Sequence, residues 1–208
     1  INTKGFRIAL VNFTYGTNLR WQGGWPKVNI IDRQDISAAL TKAKNRGADF
    51  VIALPHWGVE YELRHSRSQE DLASWLVENG ADAVIGAHPH VVQDSTVIGG
   101  APVFYSPGNA VSNMSAPNTQ IELAVKLTFT RDWNGEVAIM ETEVTYLWCS
   151  LPGRLGESYT KIAGRDYIGK RHLWKKPSDY DKMIATYLHV KRVYWIKDEI
   201  KGESQGSK

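Results

Sequence analysis

The chain has 208 residues, 42% of them hydrophobic, with 25 Lys+Arg against 22 Asp+Glu. That composition belongs to a folded globular protein, and its apolar runs, such as Phe50–Leu54 and Val103–Tyr105, are too short for a membrane-spanning helix. A single cysteine, Cys149, excludes an intramolecular disulfide and any Cys-rich zinc module.

In chain order, Phe6–Phe13 is an apolar run followed by a loop at Thr14–Asn18, and residues 20–29 form a second loop containing Trp, Gly and Pro. Apolar positions Ile36, Ala39, Leu40 and Ala43 predict a helix from Asp35 to Asn45, stopped by Gly47. Phe50–Leu54 is a short strand that Pro55 should end. The stretch from Ser68 to Asn79 has helical spacing (Leu72, Trp75, Leu76, Val77), with Ser68 as N-cap and Gly80 as stop. Ala83–Gly86 and Val103–Tyr105 are further strands. Strand alternating with helix predicts βαβ units and a largely parallel sheet.

The pattern then changes. Gln120–Thr130 alternates apolar and polar residues, Asp132-Trp133-Asn134-Gly135 reads as a turn, and Val137–Trp148 returns as the second arm of a hairpin with one wet face. Leu151–Lys176 is rich in Gly, Pro and basic residues and reads as irregular. Ser178–Ile200 is an amphipathic helix, and Gly202–Lys208 a frayed tail. No internal repeat is present. The domain reading is one body over residues 1–150, with a basic segment and terminal helix, residues 151–208, packing on it.

Charge is uneven along the chain. Residues 1–151 carry 12 Lys+Arg against 15 Asp+Glu, and residues 152–208 carry 13 against 7. Such asymmetry marks either a solvated surface or a face for an anionic partner. No Gly-rich phosphate loop, zinc finger or aromatic-basic RNA motif is present, so no nucleic-acid partner is expected. The absence of a Ser nucleophile elbow, and of any partner motif near Cys149, argues against acyl-enzyme chemistry.

Histidine carries the most information. His56 follows one apolar strand in Leu54-Pro55-His56-Trp57-Gly58-Val59-Glu60, and His88 and His90 follow another in Gly86-Ala87-His88-Pro89-His90. Ligands of α/β sheets bind outside the carboxyl ends of the strands, where both motifs fall. Pro89 restricts His88 toward extended backbone, which would set the two imidazoles on one face. Neutral imidazole is a common transition-metal ligand, so His56, His88 and His90 are the candidate metal ligands. Glu60 is placed to bind metal, to orient a ligand or to act as general base. Asn109, after the strand ending in Ser106-Pro107-Gly108, adds an amide. Tyr15, Thr17 and Asn18 follow the first strand at the same sheet edge, where Asn18 is either a turn former or a substrate contact. Tyr61 is a second candidate substrate contact, and Trp57 could wall the pocket. A lone strand-end histidine is more often a hydrogen-bonded loop residue, and His65, His172 and His189, the last in the terminal helix, read as surface or packing residues.

Across Phe6–Asn18, Val51–Tyr61, Gly80–Gln93 and Pro102–Asn109, the chain resembles the CapA-type proteins of capsule and poly-γ-glutamate biosynthesis, whose fold is related to calcineurin-like metallophosphoesterases. The resemblance implies a layered α/β metallophosphoesterase-like sheet with helices, here the C-terminal half, with the hairpin and C-terminal helix added. It implies that His56 corresponds to the single metal-binding His and that His88 and His90 correspond to the closing His-x-His pair. It further implies one or more divalent transition-metal ions (Mn, Fe or Zn). The phosphoesterase pattern places Gly directly before the pair, whereas Gly86-Ala87 here has one extra residue. A preceding half, or a partner chain, would supply the family's metal-binding Asp, an acidic or Asn ligand, and an Asn-His pair. The expected activity is metal-dependent hydrolysis of a phosphoester or amide bond of an anionic polymer. The alternatives are a non-catalytic polymer-binding or export component and a scaffold whose site has decayed. The implied location is the bacterial cell envelope outside the cytoplasm, with membrane association through an anchor outside this stretch.

Overall fold

The computed structural model describes residues 1–18 and 27–193, and it divides into two compact units, Ile1–Gly108 and Asn109 onward. The first unit is a mixed six-stranded sheet with two helices. Its strands are β1 (Asn2–Thr3), β2 (Phe6–Thr14), β3 (Phe50–His56), β4 (Ala83–Ile85), β5 (Ser95–Ile98) and β6 (Ala101–Phe104), ordered β1-β2-β3-β4-β6-β5. The four central strands run parallel, and the short edge strands β1 and β5 are antiparallel. Phe50, Val51, Ile52 and Ala53 are all buried, as a parallel strand covered on both faces requires.

Pro55 does not end β3, which continues to His56. The ladder to β4 pairs Ile52 with Ala83 and Ala53 with Val84, then resumes only at the His56–Ala87 bridge. The missing N–H of Pro55 falls in that interruption, while the ladder to β2 runs on through Phe13–Pro55 to Thr14–His56. The strand therefore carries His56 two residues beyond the apolar run Phe50–Leu54.

Helix α1 (Arg33–Asn45) begins two residues earlier than its apolar spacing indicates, because Asp32 caps it, accepting from the Gln34 and Asp35 N–H groups. Helix α2 (Arg67–Glu78) is capped by Ser66 rather than Ser68. Ser66 and Gln69 form a reciprocal capping box, so the N-terminal signal was Ser-x-x-Gln. Ile36 and Leu40 of α1, and Leu72, Ala73 and Leu76 of α2, pack with Phe13, Val51, Ala53, Val84 and Val103 of the sheet to form the core.

The second unit holds β7 (Ile121–Arg131), β8 (Val137–Ser150) and β9 (Thr160–Ala163) in one antiparallel sheet, two 3₁₀ turns (Gly164–Tyr167 and Arg171–Leu173) and α3 (Pro177–Val193). The hairpin turn closes as expected. The Asp132 carboxylate accepts from the Asn134 and Glu136 N–H groups, and Gly135 takes φ +89°. Ile121, Leu123, Tyr146 and Trp148 share one hairpin face and are buried, and Met183, Tyr187 and Val190 of α3 are buried in the same unit. Residues 151–176 are less irregular than their composition indicates, since β9 pairs with β8 from Leu147–Ala163 to Ser150–Thr160. That pairing spans the expected 150/151 boundary, and the division between units lies at 108/109 instead. The loop at 20–29 from residue 20 to 26, the last turns of the expected terminal helix (194–200) and the tail at 202–208 lie outside the described residues. Among the described residues no helix is long and apolar enough to cross a membrane.

Candidate functional site

The carboxyl ends of β2, β3 and β4 open onto a cleft of about 910 Å³ in the first unit, lined by residues that include Tyr15, Asn18, Lys27, His56, Glu60, His88 and His90. His56 stands at the last position of β3 and points away from the core, while the next residue, Trp57, points inward. Trp57 does not wall the cleft. It is a core residue whose indole N–H donates to the Tyr105 carbonyl at 2.9 Å.

The three imidazoles meet. The His56 and His88 ring centroids are 4.8 Å apart, and those of His88 and His90 are 6.2 Å apart. The route differs from the expected extended His-Pro-His. His88 has φ +108° and His90 φ +61°, so the segment is a tight turn rather than a strand end. Positive φ is unfavourable for a residue with a Cβ, and more so directly before proline, which normally forces extended backbone. Backbone strain of this kind costs on the order of 1–3 kcal/mol per residue and persists only where surrounding contacts impose it. Here Ala87 is fixed on both sides, its N–H donating to the Pro55 carbonyl at 2.8 Å and its carbonyl accepting from Trp57 N–H at 3.0 Å. Tyr61, at φ +66°, donates its N–H to the Pro89 carbonyl at 2.8 Å and so closes the turn from the other side.

Two tyrosines flank the histidines. Tyr15 lies parallel to His56 with centroids 6.1 Å apart and tilts against His88 at 4.7 Å. Tyr61 stacks on His90 at 6.1 Å. Glu60 approaches His90, with Oε1 3.9 Å from Nε2. Burial, then repulsion from His88 and His90, lowers the His56 pKa. Burial also lowers that of His88, opposed in part by the Glu60 carboxylate. Both rings therefore favour the neutral form, in which an imidazole nitrogen has a free lone pair.

In kind, these donors fit a transition-metal ion. In number they do not complete a site, because among the described residues no group of three or more His, Cys, Asp or Glu side chains is arranged to hold one. Asn18 lines the cleft, and Asn109 is the first residue of the second unit, where its amide donates to the Thr119 carbonyl and the Met114 sulfur. His172 and His189 are exposed, as expected. His65 is a packing residue: its Nδ1 is 2.8 Å from an Asp94 carboxylate oxygen, and its ring stacks on Tyr105 at 3.9 Å. Gly86, named in the sequence only as part of the histidine motif, has no room for a side chain, since an added Cβ would lie 2.2 Å from the Tyr105 carbonyl and 2.3 Å from the Trp57 indole nitrogen.

Comparison with known proteins bears out the resemblance to CapA-type capsule biosynthesis proteins. The chain is 35% identical over 202 residues to the capsule biosynthesis protein CapA of Bacillus anthracis, covering 91% of this chain and 47% of that protein. It is 29% identical over 143 residues to the PGA biosynthesis protein CapA of Bacillus subtilis (strain 168), covering 68% and 37% respectively. The chain thus spans about half the length, or less, of the curated relatives it matches. Among solved structures, the sulfate thiohydrolase SoxB of Thermus thermophilus in complex with glycerol aligns over 90% of this chain and 27% of its own, at 15% identity and a TM-score of 0.41, a likeness too loose to bear on function. The model of the bacterial capsule synthesis protein PGA_cap family matches residues 1–114, a stretch that contains every one of the cleft histidines. More than half of the sequence is thereby accounted for, and the chain belongs to that family.

Proposed function

We propose that this chain contributes to capsule biosynthesis of the poly-γ-glutamate type and carries the imidazole part of a metal-dependent hydrolase site. The bond cleaved is a phosphoester or an amide of an anionic polymer. One observation carries the reading: the rings of His56, at the end of β3, and of His88 and His90, in the turn after β4, lie 4.8 and 6.2 Å apart in succession in a cleft that also holds Glu60. In this reading His56, His88 and His90 contribute imidazole ligands to a divalent Mn, Fe or Zn centre that needs further ligands to be complete. Such an ion, when bound, supplies a Lewis acid and a nucleophilic water at neutral pH. Glu60, beside His90, orients that imidazole or accepts a proton, and Tyr15, Asn18 and Tyr61 contact the polymer. The remaining ligands come from the part of the relatives' length that this chain does not span, or from a partner chain, and the protein works in the bacterial cell envelope.

Metal analysis of the full-length protein tests this. Mn, Fe or Zn is expected at or near stoichiometric amount, falling to trace in the combined His56→Ala and His88→Ala variant. Trace metal in the unmodified protein, after supplementation with all three, overturns the hydrolase reading.

The second reading is a non-catalytic component that binds the polymer during assembly or export. It is favoured by the incomplete ligand set among the described residues and by the basic excess beyond residue 151. Its test rests on charge.

A further inference from the structure

Directly after the His88–Pro89–His90 turn, Gln93 and Asp94 reach to the loop that carries Glu60 and Tyr61. Gln93 is 1% exposed and Gln69 2%, so neither amide can be satisfied by solvent. The Gln93 amide nitrogen donates to the carbonyls of Glu62 (2.8 Å) and Arg64 (3.1 Å). Two carbonyl acceptors fix which end of that amide is the NH₂ group, and its oxygen must then accept from Gln69 Nε2, at 2.9 Å. Gln69 in turn accepts from Ser66 N–H with its own oxygen, at 2.9 Å. Every donor and acceptor in this chain has one consistent assignment. One residue on, the Asp94 carboxylate accepts from the His65 backbone N–H at 3.1 Å and meets the His65 ring nitrogen at 2.8 Å.

The loop from Trp57 to Ser66 is therefore held at both ends of its excursion. Tyr61 N–H bonds to Pro89 at the cleft, while Glu62, Arg64 and His65 are tied to Gln93 and Asp94 behind it. Glu60 itself is exposed and makes only a 3.9 Å approach to His90, too long to hold its own loop in place. From this we infer that Gln93 and Asp94 are positioning residues. They clamp the Glu60–Tyr61 loop onto the strained histidine turn and so fix where the Glu60 carboxylate stands relative to His90. The inference rests on the site reading proposed above. It adds that the turn and the acidic loop are one mechanical unit, joined behind the cleft by buried amides as well as at the cleft by the Tyr61–Pro89 bond.

The test replaces both amides with apolar groups of similar size, Gln69→Leu with Gln93→Leu, a pairing that leaves neither partner's amide stranded. A separate Asp94→Asn variant removes only the charged contact to His65. Hydrogen exchange read by mass spectrometry should rise on the order of tenfold in the peptide spanning residues 59–66, with β3 and the last turns of α2 unchanged; the first turn of α2 is left out of the comparison because Gln69 is half of its capping box. Zn²⁺ affinity by calorimetry should fall about tenfold, the scale of change expected when groups supporting metal ligands are lost, with the melting temperature of Asp94→Asn little moved. Loop exchange equal to the unmodified protein in both variants overturns the clamp. A loosened loop with unaltered Zn²⁺ affinity overturns the positioning role. If the unmodified protein binds no Zn²⁺, it is the site reading that fails, and the exchange measurement alone decides whether the clamp holds the loop.

Discussion

Gly86 and the two strained histidines sit within five residues of one another, and their requirements are opposite. Gly86 must have no side chain, because the space a Cβ would take is filled by the Tyr105 carbonyl and the Trp57 indole. Gly86→Ala is expected to cost on the order of 1–3 kcal/mol or more, as overpacking in a tight core does, and a denaturant melt against the unmodified protein measures it. His88 and His90 instead keep their side chains at backbone angles that glycine would adopt more cheaply, so the imidazoles are retained at a cost in stability. A pH dependence follows from the same rings. Although His56 is exposed as a residue, its ring lies against Tyr15 and His88, and both His56 and His88 titrate below the ordinary 6.5. The unfolded chain therefore takes up protons first. The stability these rings contribute is complete above 6.5 and is lost as pH falls through their depressed folded values. The melting temperature of the metal-free protein should fall between about pH 7.5 and about pH 5.5, and should fall less when His56 and His88 are both replaced by Gln. An equal slope in that variant would remove these rings as the cause. At this scale the sequence announced the residues but not their geometry: the His-Pro-His spacing located the convergence, and only contacts from Pro55, Trp57 and Tyr61 reveal that the segment turns.

Elements were readable wherever burial left a pattern. Phe50–Ala53 is visible as an unbroken apolar run, because both faces of the strand are covered, and β7 and β8 are visible through their apolar–polar alternation. β5 and β9 were not visible. Ser95–Ile98 is an edge strand with no buried residue, and Thr160–Ala163 buries only Ile162, so neither leaves a pattern for a reader to count. The Gln69–Gln93 pair is illegible for a related reason, since two amides 24 positions apart have no spacing rule linking them. Helix starts are a matter of capping chemistry rather than of apolar period. Ser66, not Ser68, accepts from Gln69 N–H, while Gln69 returns a side-chain contact to Ser66 N–H. Ser66→Ala should therefore destabilise the protein by about 1 kcal/mol, and Ser68→Ala by distinctly less. Chemical denaturation of the two variants side by side decides between the caps, and an equal loss from both would return α2 to its sequence-derived start.

For the whole molecule, net charge along the sequence and charge available at the surface are different quantities. Several of the basic residues behind the excess beyond residue 151 are already committed: Lys161 to Glu122, Lys175 to Glu157, and Arg171 to Asp181 in a two-pronged contact of 2.9 Å each. The two exposed pairs, Lys175–Glu157 and Arg171–Asp181, contribute little to stability, but each of the three neutralises a cation that a polyanion would otherwise meet. Lys176 and Arg192 are exposed, and neither is ion-paired among the described residues. If polymer binding is the function, it should act through such residues and weaken as salt screens them. Affinity for poly-γ-glutamate should drop on the order of tenfold or more between low and high ionic strength. The Lys176→Gln and Arg192→Gln pair should lower both the affinity and its salt slope. The combined His56→Ala and His88→Ala variant should leave both unchanged, because imidazoles held neutral offer a polyanion no charge. Binding that ignores salt, or that disappears with the two histidines, would tie the polymer to the cleft instead and favour the hydrolase reading over the export one.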